Sequence, residues 1–101
     1  MTVIATNLIS GNSECNWENP LEFATSYRSL IPGNNQISLQ FISEGKLLDV
    51  NIGLQDSNTG ILTLEFNSMA SYNEYKTHAN NDFVTILTNA GWSREETVQE
   101  T

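Results

Sequence analysis

His78 is the one imidazole in this 101-residue chain, and its neighbours are spaced to work with it. An ordinary imidazole titrates near neutrality, so His78 could serve as a general base if a carboxylate oriented it. Glu74 and Asp82 flank it at four-residue spacing, which places all three on one helix face. The row reads first as a solvated, charge-paired face and second as a proton relay. Trp17, Tyr72, Tyr75 and Trp92 could line a cavity for a small apolar ligand. The same residues suit core packing, with the two tyrosines between a helix and a sheet and the tryptophans anchoring loops or a dimer rim.

Other chemistry lacks its residues. Cys15 is the single cysteine, so an intrachain disulfide and a Cys-rich zinc site are both excluded. With one histidine and no HExxH or HxH spacing, neither a metal nor another cofactor is expected. No glycine-rich loop joins a strand to a helix, so nucleotide phosphates have no cradle. Twelve acids against four Lys and Arg give a net charge of −8, which repels phosphate backbones and makes nucleic acid an unexpected partner. No stretch is long and apolar enough to span a membrane, and the N-terminus has no basic leader, so a cytoplasmic protein is expected.

The elements that must position these residues are best marked between 60 and 91. Gly60 to Phe66 alternates, with Leu62, Leu64 and Phe66 on one face and Ile61, Thr63 and Glu65 on the other. Ser71 and Glu74 form a capping box, and Tyr72, Tyr75, Ala79, Phe83, Ile86, Leu87 and Ala90 recur at helical spacing until Gly91. The spacing predicts a helix over 71–90. Upstream, Val3 to Ile9 reads as the first strand, and Asn19-Pro20 as an N-cap and first position of a helix over about 20–31. Pro32 to Asn35 reads as that helix's end.

Ile37, Leu39 and Phe41 alternate as a second strand, Glu44-Gly45-Lys46 turns the chain, and Leu48, Val50, Ile52 and Leu54 alternate again. Residues 93–101 could be a strand, a helix or a disordered tail; a strand completes β-α-β-β-α-β. The expectation is one α+β domain over 1–101, ferredoxin-like, with an antiparallel sheet and two helices on one face. Phe23, Tyr27, Leu39, Phe41, Val50, Ile52, Leu62, Leu64, Phe66, Tyr75, Phe83 and Leu87 are its expected core.

The stretch Ile61 to His78 resembles the strand-to-helix unit of the dimeric α/β-barrel superfamily, the ferredoxin-like domains related to antibiotic-biosynthesis monooxygenases. The resemblance implies two sheets facing one another in a homodimer. It agrees with a physical need, because two helices cover one face of the sheet and leave Leu47, Ile61 and Thr63 for a partner. The haem-degrading branch uses an Asn on the first strand, which Asn7 matches. It also uses a Trp ending the third strand and a later helical His, which this chain lacks, so haem is not expected.

The reading is a small homodimeric ferredoxin-like protein without an evident catalytic constellation. The alternatives are a cofactor-independent monooxygenase-like or small-apolar-ligand-binding protein, and an acidic inhibitor or nucleic-acid mimic. Candidate ligand-binding residues are Asn7, Trp17, Tyr72, Tyr75 and His78.

Overall fold

The computed structural model describes the backbone over residues 1–101 and the side chains of all but 79–82. The chain runs β1 (Val3–Ser10), α1 (Pro20–Leu30), α2 (Pro32–Ser43), β2 (Leu47–Asp56), β3 (Thr59–Phe66), α3 (Met69–Asn89) and β4 (Ser93–Glu100). The four strands form one antiparallel sheet in the order β2-β3-β1-β4. This is the ferredoxin-like sheet, and residues 93–100 are its last strand.

Local chemistry explains most boundaries. Asn19 is the extended N-cap of α1, accepting from the Glu22 backbone N–H at 2.9 Å, with Pro20 at the first position. Helix α2 closes on Gly45 at φ +73°, with the Lys46 N–H bonded to the Phe41 carbonyl at 2.9 Å. Helix α3 ends the same way on Gly91 at φ +77°, with Trp92 N–H on the Leu87 carbonyl at 2.9 Å. At the hairpin between β2 and β3 the Asp56 carboxylate accepts from the backbone N–H groups of Asn58 and Thr59.

Four expectations need correction. Residues 37–41 are helical, not a strand: Pro32 ends α1 but occupies the first position of α2, where its missing N–H costs nothing. The inner stripe of α2 is Asn34, Ile37, Ser38 and Phe41, half of it polar, so Leu39 is 58% exposed instead of buried. Helix α3 starts earlier than Ser71, because Ser68 caps it through a hydrogen bond to the Ser71 N–H, and Glu74 pairs with Lys46 instead. Leu47 belongs to the core at 2% exposure, while an irregularity in register between Leu47 and Asp49 leaves Leu48 exposed.

The core lies between one sheet face and the helices. Val3, Ala5 and Ile9 on β1 and Leu62, Leu64 and Phe66 on β3 are buried there, together with Phe23, Phe41, Tyr75, Phe83 and Leu87. Val50 and Ile52 are half-buried, because they border a cleft and are not packed over. The opposite face carries Ile4, Leu8 and Ile61 among Thr6, Thr63 and Asn51, with no helix over them.

Phe23 lies flat against Gly60, so a Cβ at that position would collide with the ring. Gly60→Ala should destabilise by about 1–3 kcal/mol, the usual penalty of overpacking. Phe23→Leu in the same chain should recover part of that loss, giving a non-additive double-mutant cycle in urea unfolding. Strict additivity would show that the close approach does not matter.

Candidate functional site

Helices α1 and α2, joined at Ile31, arch over the β2–β3 half of the sheet and leave a cleft of about 190 Å³ beneath them. Its walls are mainly apolar: Phe23 and Ile31 from the helix pair, Val50 and Ile52 from β2, and Leu62 and Leu64 from β3. Tyr27, Arg28, Asn34, Asn35 and Ser38 supply the polar groups. An apolar cleft with a few convergent polar atoms is the usual form of a small-molecule site.

The polar groups are oriented by one buried hydrogen bond. Tyr75, on α3, donates its hydroxyl to Asn34 Oδ1 at 2.7 Å, and Ser38 Oγ lies 3.5 Å from the same hydroxyl. Because the Asn34 carbonyl is occupied, its Nδ2 faces the cleft as a donor without a partner among the described residues. Tyr27 is 7% exposed, and its hydroxyl has no hydrogen-bond partner among them either. Burial, helped by the nearby Tyr75 phenol and opposed by Arg94, pushes the Tyr27 hydroxyl well above its ordinary range, so it stays a neutral donor.

Sequence-based candidates sit around this cleft and not in it. Asn7 is 2% exposed on β1; its Nδ2 donates to the Leu62 carbonyl at 3.4 Å and its Oδ1 has no partner. Leu62 separates it from the cleft wall. Tyr75 reaches the cleft through Asn34 and Ser38. Tyr72 packs on Phe66 at 5.6 Å and donates its hydroxyl to Glu96 on β4. Trp17 is buried against Phe23 and Trp92, with centroids 5.0 and 5.4 Å away, and its Nε1–H is satisfied by Ser26. His78 is exposed, with its ring edge-on to Phe41 at 6.0 Å; the Asp82 side chain lies outside the described residues. Tyr72 and Tyr75 therefore share the Phe66 ring, and Tyr75 and His78 share Phe41, whereas Asn7 and Trp17 stand apart from them.

Tyr27, Arg28, Asn34, Ser38 and Glu96 were not among the candidates. A signal for Asn34 existed: after Pro32, positions 34, 38 and 41 share a helical face. Two polar residues on that stripe hid it. Glu96 could have been found from pairing with β1, since it stands beside Asn7 and so faces the helices.

The cations divide by type. Lys46 pairs with Glu74 at 3.0 Å and Glu44 at 3.5 Å, and Lys76 with Glu96 at 3.0 Å. Arg28 and Arg94 have no ion pair among the described residues. Burial works to raise the Glu96 carboxyl, but hydrogen bonds from Tyr72 and Lys76 and the charges of Lys76 and Arg94 outweigh it and hold it below its ordinary value. A depressed folded-state value stabilises above the unfolded value, about 4.3 for Glu, and the benefit is lost as pH falls through the folded one. Urea midpoints should therefore drop below about pH 4.3, and less steeply in Glu96→Gln. Identical acid limbs in the two proteins would contradict the assignment.

No family model matches the chain, and no curated protein matches it. Solved structures do share its fold. A candidate antibiotic biosynthesis monooxygenase from Deinococcus radiodurans superposes with a TM-score of 0.63 at 17% identity, over 98% of this chain and 91% of that one. A cofactor-independent oxygenase from Streptomyces nogalater, in an Asn-to-Ala variant, gives 0.62 at 10% identity over 99% and 92%. A dimeric ferredoxin-like protein from an uncultured marine organism gives 0.63 at 8% identity over 97% and 92%. At these identities the likeness is one of architecture. The chain has the ferredoxin-like fold seen in antibiotic-biosynthesis-monooxygenase-like proteins.

Proposed function

We propose that this protein is a homodimeric small-ligand-binding domain, with the cleft beneath α1 and α2 as the ligand site and the open sheet face as the dimer contact. The observation that carries the reading is an apolar cleft with two buried residues on its wall, Tyr27 and Asn34, whose Oη and Nδ2 have no hydrogen-bond partner among the described residues. A ligand oxygen would accept from both donors, and the apolar walls would hold the ligand's body.

The dimer has separate support. Leu8 and Ile61 pair side by side as the apolar centre of the uncovered face, and the Thr6–Thr63 row separates them from Ile4. Asp49 and Glu65 are paired across strands on this face, and Glu95 stands beside Leu8, so acids flank the apolar patch. A structural neighbour of the same fold is described as dimeric. The lone, unpaired Cys15 suits a reducing, cytoplasmic setting.

A second reading, cofactor-independent oxygenation, has one observation behind it. The Asn7 carbonyl oxygen is buried without a partner among the described residues, a polar atom that a reacting ligand or water would complete. One neighbour is a cofactor-independent oxygenase. Dioxygen uptake in the presence of a bound phenol would favour this reading over simple binding. The acidic-mimic alternative needs a carboxylate stripe, and on the open face Thr6, Thr63 and Thr97 form the row between Asp49–Glu65 and Glu95.

Two measurements test the proposal. Ligand-observed NMR with acetophenone should show saturable binding that Asn34→Leu weakens by about fivefold or more, a hydrogen bond being worth about 1 kcal/mol. Absence of saturable binding would reject the cleft as a site. Sedimentation equilibrium at low micromolar concentration should give a dimer, and Leu8→Glu should give a folded monomer with an unchanged far-UV spectrum. A wild-type monomer would remove the dimer contact.

A further inference from the structure

We infer that the cleft is built for an amphipathic carboxylate: a single-ring apolar body, a carbonyl-type oxygen at the inner end, and an anionic group at the mouth beside Arg28. The inference rests on the ligand-binding reading of the cleft and adds the chemistry of its occupant.

The inner end is set by donor direction. Tyr75 donates to Asn34 Oδ1, so the Asn34 N–H groups are the polar atoms of that amide left without a partner among the described residues. An oxygen lone pair complements both the Asn34 N–H groups and the Tyr27 O–H. The size is set by volume: about 190 Å³ is below the roughly 300–1,000 Å³ of sites for drug-sized ligands, which leaves room for one substituted ring.

The mouth is set by charge. Arg28 lines the cleft from α1 and is solvent-exposed at its rim. In a chain of twelve acids and four cations, both lysines are paired with glutamates while Arg28 has no carboxylate partner among the described residues. A planar guanidinium at the edge of an apolar cleft matches a carboxylate, which it can hold through two parallel N–H donors. The overall negative charge works against anions at long range, so specificity must come from this local cation, and binding must weaken as salt screens it.

Isothermal titration with three probes tests the assignment: 4-acetylbenzoate, which has both ends; acetophenone, which lacks the carboxylate; and benzoate, which lacks the ketone. The expected order at low salt is 4-acetylbenzoate tightest, by about three- to fivefold over acetophenone, as for a solvent-exposed ion pair. Arg28→Gln, a surface change that leaves folding intact, should erase that advantage and leave acetophenone binding unchanged. Asn34→Leu should weaken both ketones and spare benzoate. If acetophenone binds as tightly as 4-acetylbenzoate and Arg28→Gln changes nothing, the anionic end is wrong while the cleft remains a site. If neither ketone binds, the ligand-binding reading itself fails.

Discussion

The Tyr75 hydroxyl is buried in an apolar core, and a buried hydroxyl must find a partner or cost more than it contributes. Its ring leaves little freedom, since it is fixed between Phe66 and Phe41 at 5.3 and 5.5 Å. The hydroxyl then reaches Asn34 on α2, and that one bond joins α3, α2 and the sheet. It also explains why a polar residue occupies the inner stripe of α2. With its carbonyl taken, the Asn34 amide is turned to the cleft.

The second constraint is how closely α1 approaches the sheet. Phe23 rests on Gly60, a position where any side chain would push the helix away. The helix is therefore pinned low near the β2–β3 hairpin, while α2 stands off β2 enough to leave Val50 and Ile52 half-buried. The cleft is the wedge between a close contact and a looser one. Its walls are apolar because they are core residues that the helices do not fully cover.

Charge is distributed along the same lines. Glu96 faces the helices from β4 and gathers Tyr72 and Lys76, joining α3 to the sheet edge opposite the cleft. Lys46 does similar work between the α2–β2 turn and α3 through Glu74. With the lysines committed to structure, the arginines are the cations without an ion pair among the described residues, and Arg28 is the one at the cleft.

The sequence by itself determined the first three strands of the sheet, the first helix and its N-cap, the lone cysteine and the acidic balance, and left residues 93–101 open. Each is a local property: alternation in Leu62, Leu64 and Phe66, or Asn19 before Pro20, reports on one element's own faces and ends. It failed at residues 37–41, where three alternating apolar residues imitate a strand and Asn34 and Ser38 disguise a helix stripe. Tyr72 and Tyr75 were legible as a pair because one helix carries both. The cleft was not legible, because it consists of what α1, α2, β2 and β3 leave unfilled between them. Tertiary structure alone decided that Tyr27 and Asn34 would be buried without full partners, that Asn7 would lie behind Leu62, and that Arg28 would stand at the mouth. Which donors remain free depends on distances between elements far apart in the chain, and no local pattern encodes those distances.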